Sequence, residues 1–114
     1  MGSKFGAPEE YWGDIVDTCK KIKADLRGIS FYVGTGGCSF ETYETQINNV
    51  LKISKLVKAR HMPALTIVDI GGGFTMNNPK ATNNFTTVSP KIAKLLKVFP
   101  QDTRFIGEPG RFLC

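Results

Sequence analysis

Three consecutive glycines stand directly after an apolar stretch. Gly71, Gly72 and Gly73 follow residues 65–70, whose aliphatic and β-branched side chains predict a buried strand. Glycines at a strand end leave bare backbone where side chains would block a ligand. Successive N–H groups in such a loop form a concave surface that suits an anion, typically phosphate. A triple glycine by itself is more typical of a flexible turn, so other residues have to decide between the two interpretations.

Two other strand ends have the same pattern. Residues 29–33 lead into the glycine-rich loop 34–38, and residues 103–107 lead into Glu108-Pro109-Gly110-Arg111. Arg111 would add a forked, permanent positive charge to a phosphate site. Glu108 could accept a hydrogen bond from a protonated ring nitrogen and hold it charged. The alternative is an ion pair between Glu108 and Arg111 across the Pro-Gly turn.

Four other side chains have both a functional and a structural interpretation. Tyr32 could stack on a planar cofactor or fill the core, and Thr35 could bind a phosphate or serve a turn. Asp69 could orient a basic partner or cap the loop that follows it. His61 is expected to be exposed at a helix end, where it favours the helix dipole. No serine, cysteine or acid joins it in the order of a hydrolytic triad, so no catalytic residue is assigned.

Helical patterns separate these strands. Pro8 and the acids after it predict a helix over residues 8–24, and Ser39 is expected to cap a second helix that ends near residues 60–61. Residues 75–84 predict a long loop. Ser89 and Pro90 are expected to cap and begin a third helix, which Pro100 stops.

The order helix, strand, helix, strand, helix, strand predicts an α/β fold with parallel strands and right-handed crossover helices. The strands are apolar throughout, as expected when helices cover them. Two architectures fit, an open three-layer sheet or consecutive units of a (β/α)8 barrel. A whole barrel needs about 250 residues, so 114 residues correspond to a single domain, 1–114, that is part of one. Exposed sheet edges predict a homo-oligomer.

Composition excludes several classes of protein. A hydrophobic content of 41% and a charged content of 22% are typical of globular proteins, and no apolar run approaches the ~20 residues of a membrane span. No secretory signal begins the chain, and Cys19, Cys38 and Cys114 lack metal-ligand spacing, so we expect reduced thiols, no metal site and a cytoplasmic location. The net charge of +5 comes from lysines on helix faces without aromatic platforms, so nucleic-acid binding is not expected.

The motifs together resemble a known family. Lys4-Phe5-Gly6, residues 28–36, residues 69–74 and Glu108-Pro109-Gly110-Arg111 are similar to segments of ornithine decarboxylase and its relatives. These are pyridoxal-phosphate decarboxylases with an alanine-racemase-like barrel and a separate β-domain. The resemblance covers nearly all of this chain, but only the middle and later part of the family's barrel. It therefore implies a partial (β/α)8 TIM-type barrel that binds pyridoxal phosphate.

The resemblance also implies roles for single residues. Residues 71–73 and Arg111 would hold the cofactor phosphate with Thr35 nearby, and Glu108 would pair with the pyridine nitrogen. Tyr32 stands where the family usually has a histidine stacked on the ring. Thr35 stands where it usually has serine, and Thr75 where it usually has proline. Tyrosine can also stack, so Tyr32 is retained as a cofactor-binding residue.

Two hypotheses about function follow. No lysine here matches the context of the family's cofactor-linking lysine, and the family's β-domain lies outside the matched segment. The first hypothesis is therefore a truncated, catalytically inactive relative, similar to antizyme inhibitors, that regulates polyamine biosynthesis and has a full-length decarboxylase or antizyme as its partner. The alternative is a pyridoxal-phosphate-dependent ornithine decarboxylase that is active when the rest of the barrel completes it.

Overall fold

The structure is a computed structural model that describes residues 6–34, 39–74 and 85–110. A 3-10 turn at Glu9–Tyr11 leads into helix α1 (Trp12–Lys21), and the remaining elements follow in chain order. They are strand β1 (Gly28–Ser30), helix α2 (Phe40–Ala59), strand β2 (Ile67–Asp69), helix α3 (Phe85–Leu96) and strand β3 (Arg104–Ile106). The predicted alternation of helices and strands is confirmed.

The three strands form one parallel sheet in the order β1-β2-β3. Ile29 pairs with Val68, and Val68 pairs with Phe105. Parallel pairing through crossover helices was predicted and is confirmed. Because the strands are parallel, the segments that follow all three lie together at the carboxyl ends of the strands.

The strands are shorter than predicted. Each has three residues, against predicted ranges of 29–33, 65–70 and 103–107. The ladder continues by one backbone hydrogen bond on each side of β2. The Phe31 N–H donates to the Asp69 carbonyl oxygen at 3.0 Å, and the Ile70 N–H donates to the Ile106 carbonyl oxygen at 2.9 Å. Beyond these bonds the chain turns into the glycine-rich segments, so apolar sequence overstates the length of the regular sheet.

The core lies between α2, α3 and β2. Its buried members are apolar or aromatic: Tyr43, Ile47, Val50, Val68, Ile70, Phe74, Val88, Ile92 and Phe99. Phe74 stacks on Tyr43 with ring centroids 5.6 Å apart and meets Phe85 edge to face at 5.8 Å. The loop after β2 is therefore anchored to both helices by Phe74.

The predicted start of the third helix is wrong. Ser89 and Pro90 do not begin α3, because the helix starts at Phe85 and has Pro90 as its sixth residue. Phe85, Val88 and Ile92 share one face, and Val88 is fully buried. Packing of that face outweighs the cost of proline, which removes one backbone bond within the helix.

The expectation of strands covered by helices fails at β3. All three of its residues are exposed, with Phe105 and Ile106 each 38% exposed. Since β3 is an edge strand of the described sheet, its apolar composition does not show burial within this chain. The predicted first helix is also shorter than expected, since α1 ends at Lys21 and Lys23 takes a left-handed conformation with φ of 57°.

Candidate functional site

The glycine loop after β2 lies between the ends of the other two strands. A Cβ atom on Gly72 would lie 2.5 Å from the Glu108 carbonyl oxygen, and one on Gly73 would lie 2.5 Å from the Gly34 oxygen. A Cβ on Gly71 would collide with the Phe31 carbonyl. All three positions therefore exclude side chains, because neighbouring backbone atoms fill the space. The sequence had suggested a different reason, namely that glycine leaves room for a ligand.

Backbone conformation adds a second constraint on the loop. Gly71 has φ of 66° and Gly73 has φ of 91°, values in the left-handed region that favours glycine. The loop is thus a close-packed turn at the junction of three strand ends.

Tyr43 supports this loop from below. Its side chain is fully buried, and its hydroxyl donates a hydrogen bond of 3.1 Å to the Gly72 carbonyl oxygen. Tyr43 was not among the site residues predicted from the sequence. Its hydroxyl, on an otherwise apolar helix face, could have predicted such a bond, because a buried Tyr O–H usually has a hydrogen-bond partner.

Asp69 caps the loop, as its structural interpretation predicted. The Gly71 N–H donates a hydrogen bond of 2.8 Å to Asp69 Oδ1. The side chain is half-buried at the last position of β2. The carboxylate therefore fixes the direction in which the chain leaves the strand.

Glu108 lies beside the glycine loop at the end of β3. Its N–H donates to the Gly71 carbonyl oxygen at 2.8 Å, and its own carbonyl accepts from the Gly110 N–H at 2.9 Å. Hydrogen bonding with the Asp69 carboxyl raises the pKa of Glu108, and the charge of Asp69 and a small loss of hydration raise it further. Two carboxyl groups can share a hydrogen bond only when one of them carries a proton.

Tyr32 lies next to the loop but outside the core. The residue is 43% exposed, so the interpretation as a core aromatic is wrong. The residue lines an open cleft of about 840 Å³ with Trp12 and Ile29, and its Cα would lie 3.4 Å from a Cβ on Gly71. The structure thus places Tyr32, residues 71–73 and Glu108 together.

Several predictions fall on residues outside the described ranges. They concern Lys4, Phe5, Thr35, Cys38, Arg111, Cys114 and the loop 75–84. The roles of Thr35 and Arg111 therefore stay predictions, as does the ion pair between Glu108 and Arg111. Within residues 6–34, 39–74 and 85–110, no group of three or more metal-ligating side chains occurs. None of the described helices is both long and apolar enough to cross a membrane.

Comparison with known proteins identifies the family. The model for the pyridoxal-dependent decarboxylases, pyridoxal binding domain, matches residues 1–114. The chain belongs to this decarboxylase family. The predicted resemblance is confirmed, and pyridoxal is the cofactor that the family's description names.

Relatives of the chain include decarboxylases and an antizyme inhibitor. It is 34% identical over 114 residues to a probable ornithine decarboxylase from Dictyostelium discoideum, covering 100% of this chain and 24% of that protein. It is 29% identical over 115 residues to antizyme inhibitor 2 from Xenopus laevis, covering 98% of this chain and 25% of that protein. The chain thus spans about a quarter of the length of these curated relatives.

A solved decarboxylase structure has the same fold. The lysine/ornithine decarboxylase of Vibrio vulnificus, crystallised with putrescine, matches with a TM-score of 0.86 and 31% identity, over 99% of this chain and 31% of that chain. The α/β arrangement is therefore that of the decarboxylase barrel. This confirms the partial TIM-type barrel in preference to an open three-layer sheet.

Proposed function

We propose that this chain is the part of a decarboxylase that holds the phosphate and ring nitrogen of pyridoxal phosphate. The observation that carries the proposal is the meeting of the glycine loop with Glu108, whose N–H is bonded to the Gly71 carbonyl at 2.8 Å. Family membership over residues 1–114 supports the choice of cofactor.

The donor set fits the two polar ends of this cofactor. The Gly71 N–H is bonded to Asp69, so an anion at this tight turn would be bound by backbone N–H groups beyond Gly71, and Arg111 and Thr35 would add a charge and a hydroxyl. Glu108 lies beside Asp69, and such a carboxyl pair suits a protonated ring nitrogen. Tyr32, exposed beside Gly71, would stack on the ring.

Each residue has a defined task in the proposed reaction. The loop and Arg111 would bind and orient the phosphate, and Glu108 would hold a proton at the ring nitrogen. When bound, pyridoxal phosphate supplies a ring that takes up the electrons left by a departing carboxylate. The relatives' names point to a basic amino acid, ornithine or lysine, as the substrate of the complete protein.

An absorption titration with pyridoxal phosphate tests the proposal, with inorganic phosphate as competitor. Glu108→Gln should weaken cofactor binding about tenfold, since hydrogen bonds to charged groups contribute about 1.5–3 kcal/mol, and should leave phosphate binding unchanged. Arg111→Ala should weaken both. Glu44→Gln removes one exposed charge from α2 and is the matched control.

Two results would contradict the proposal. One is cofactor binding that phosphate does not compete with, or no binding at all. The other is a Glu108→Gln variant that binds the cofactor as well as Glu44→Gln does. Either would remove the glycine loop or the carboxylate from the proposed site.

A second candidate function is regulation without catalysis. Tyr32 in place of the family's usual histidine, together with the similarity to antizyme inhibitor 2, favours it. Such a protein would act on polyamine biosynthesis in the cytoplasm through a full-length decarboxylase or antizyme, as a homo-oligomer or a mixed one. Release of CO2 from ornithine by the purified chain, above the rate with free cofactor, would refute this second candidate. Coprecipitation with antizyme in the absence of turnover would support it.

A further inference from the structure

Asp69 contacts both halves of the proposed cofactor site. Its Oδ1 accepts the Gly71 N–H at 2.8 Å, which anchors the start of the glycine loop. Glu108 follows Ile106, the partner of Asp69 in the sheet, by two residues, and interaction with the Asp69 carboxyl raises the pKa of Glu108. One side chain on β2 therefore touches the segment offered to phosphate and the group offered to the ring nitrogen.

The backbone holds this arrangement independently of the side chains. Asp69 pairs with Ile106 in the parallel register, so Glu108 leaves β3 only two residues beyond the paired position. The Glu108 N–H is bonded to the Gly71 carbonyl, and the Ile70 N–H to the Ile106 carbonyl, at 2.8 and 2.9 Å. A short ladder of backbone bonds thus brings the two acidic residues together.

We propose that Asp69 is a positioning residue that links the phosphate-binding loop to the ring-binding carboxylate. The inference rests on the proposed function. Fixing Gly71 sets the direction of the loop amides, and the carboxyl–carboxyl contact sets the orientation and charge of Glu108. Ligand binding at the loop and at Glu108 is then coupled through one residue that need not touch the cofactor.

Two substitutions at Asp69 separate its two roles. Asp69→Asn keeps a side-chain oxygen for the Gly71 N–H, but its amide donates to Glu108 and occupies an oxygen that the ring nitrogen would use. Asp69→Ala removes both contacts. Asp102→Asn removes an exposed charge between α3 and β3 and is the control.

The probes are pyridoxal phosphate and inorganic phosphate, each titrated by calorimetry. We expect Asp69→Asn to weaken pyridoxal phosphate about tenfold, by the loss of one hydrogen bond to a charged group, and to leave phosphate affinity unchanged. Asp69→Ala should weaken both ligands. Equal behaviour of Asp69→Asn and the unsubstituted chain toward pyridoxal phosphate would overturn the coupling, and so would identical effects of the two substitutions on both ligands.

Measurements without ligand distinguish this inference from the proposed function. Exchange of the Gly71 amide proton, followed by NMR, should be faster in Asp69→Ala than in Asp69→Asn. The pKa of Glu108, followed by carboxyl 13C shifts, should fall in both variants. If the unsubstituted chain binds no pyridoxal phosphate, the proposed function fails, and these two readouts still decide whether Asp69 links the loop to Glu108. Unchanged Gly71 exchange in Asp69→Ala, or an unchanged Glu108 titration, would refute the link.

Discussion

The buried hydroxyl of Tyr43 offers a direct test of how the glycine loop is held. Tyr43→Phe removes one oxygen atom and keeps the ring, which stacks on Phe74 at 5.6 Å. The lost bond is the 3.1 Å contact from the hydroxyl to the Gly72 carbonyl. The substitution therefore creates almost no cavity, and its effect reports the hydrogen bond.

The expected cost follows from burial. Removing one partner of a buried hydrogen bond leaves the other group with neither that partner nor water, which lowers the free energy of unfolding by about 1–3 kcal/mol. Tyr43 has no exposed surface, so water cannot replace the hydroxyl. With a urea m-value of about 1.5 kcal/mol per M, a loss of about 1.5 kcal/mol lowers the unfolding midpoint by roughly 1 M.

Urea unfolding followed by circular dichroism measures this shift. Tyr11→Phe is the matched control, because Tyr11 is 52% exposed and surface substitutions usually change stability by less than about 0.5 kcal/mol. We also expect weaker phosphate binding by Tyr43→Phe, since the loop would lose its anchor. A midpoint equal to that of Tyr11→Phe would refute the reasoning. Lower stability with unchanged phosphate affinity would show that the hydroxyl serves the core and does not position the loop.

Three other perturbations test the glycine loop, the third helix and the acid pair. Gly72→Ala should destabilise the fold and abolish phosphate binding, because its Cβ would lie 2.5 Å from the Glu108 carbonyl oxygen. Gly107→Ala is the control and should be tolerated, because its Cβ would meet nothing within 4 Å. Thermal unfolding of both variants measures the difference in stability. Pro90→Ala should raise unfolding free energy by roughly 1–3 kcal/mol, because proline stands inside α3 where it removes a backbone bond; a neutral or destabilising result would instead support a helix that begins there. The raised pKa of Glu108 means that its contribution to stability is full below the ordinary glutamate value and falls as pH rises through the raised value. The lowered pKa values of Asp17 and Glu41 act in the opposite direction. The difference in urea unfolding between the unsubstituted chain and Asp69→Asn from pH 4 to 7 should therefore show the decline due to Glu108.

Element types and their order could be predicted from the sequence because they depend on local periodicity. Tyr43, Ile47 and Val50 recur at the spacing of one helix face, which predicts that they are buried together. They are buried in α2. The end of α2 near Arg60 could also be predicted from neighbouring residues. The start of α3 could not, because Phe85 and Val88 are helical through their packing on the core. This tertiary packing outweighs the local Ser-Pro signal for a helix start.

The candidate site could be predicted in its residue types but not in its contacts. Asp69 and Glu108 are far apart in sequence, and each was interpreted separately, Asp69 as a loop cap and Glu108 as a ring partner. Their contact depends on the pairing of Asp69 with Ile106, and a slip of one residue in that register would turn the side chains to the opposite face of the sheet. Register is set by packing across the whole sheet, so no pattern near either acid encodes it. The same holds for residues 71–73, whose missing Cβ atoms make room for carbonyls from β1 and β3 segments. The chemistry of the site can thus be inferred from single motifs, whereas the coupling between its parts depends on how three strand ends meet.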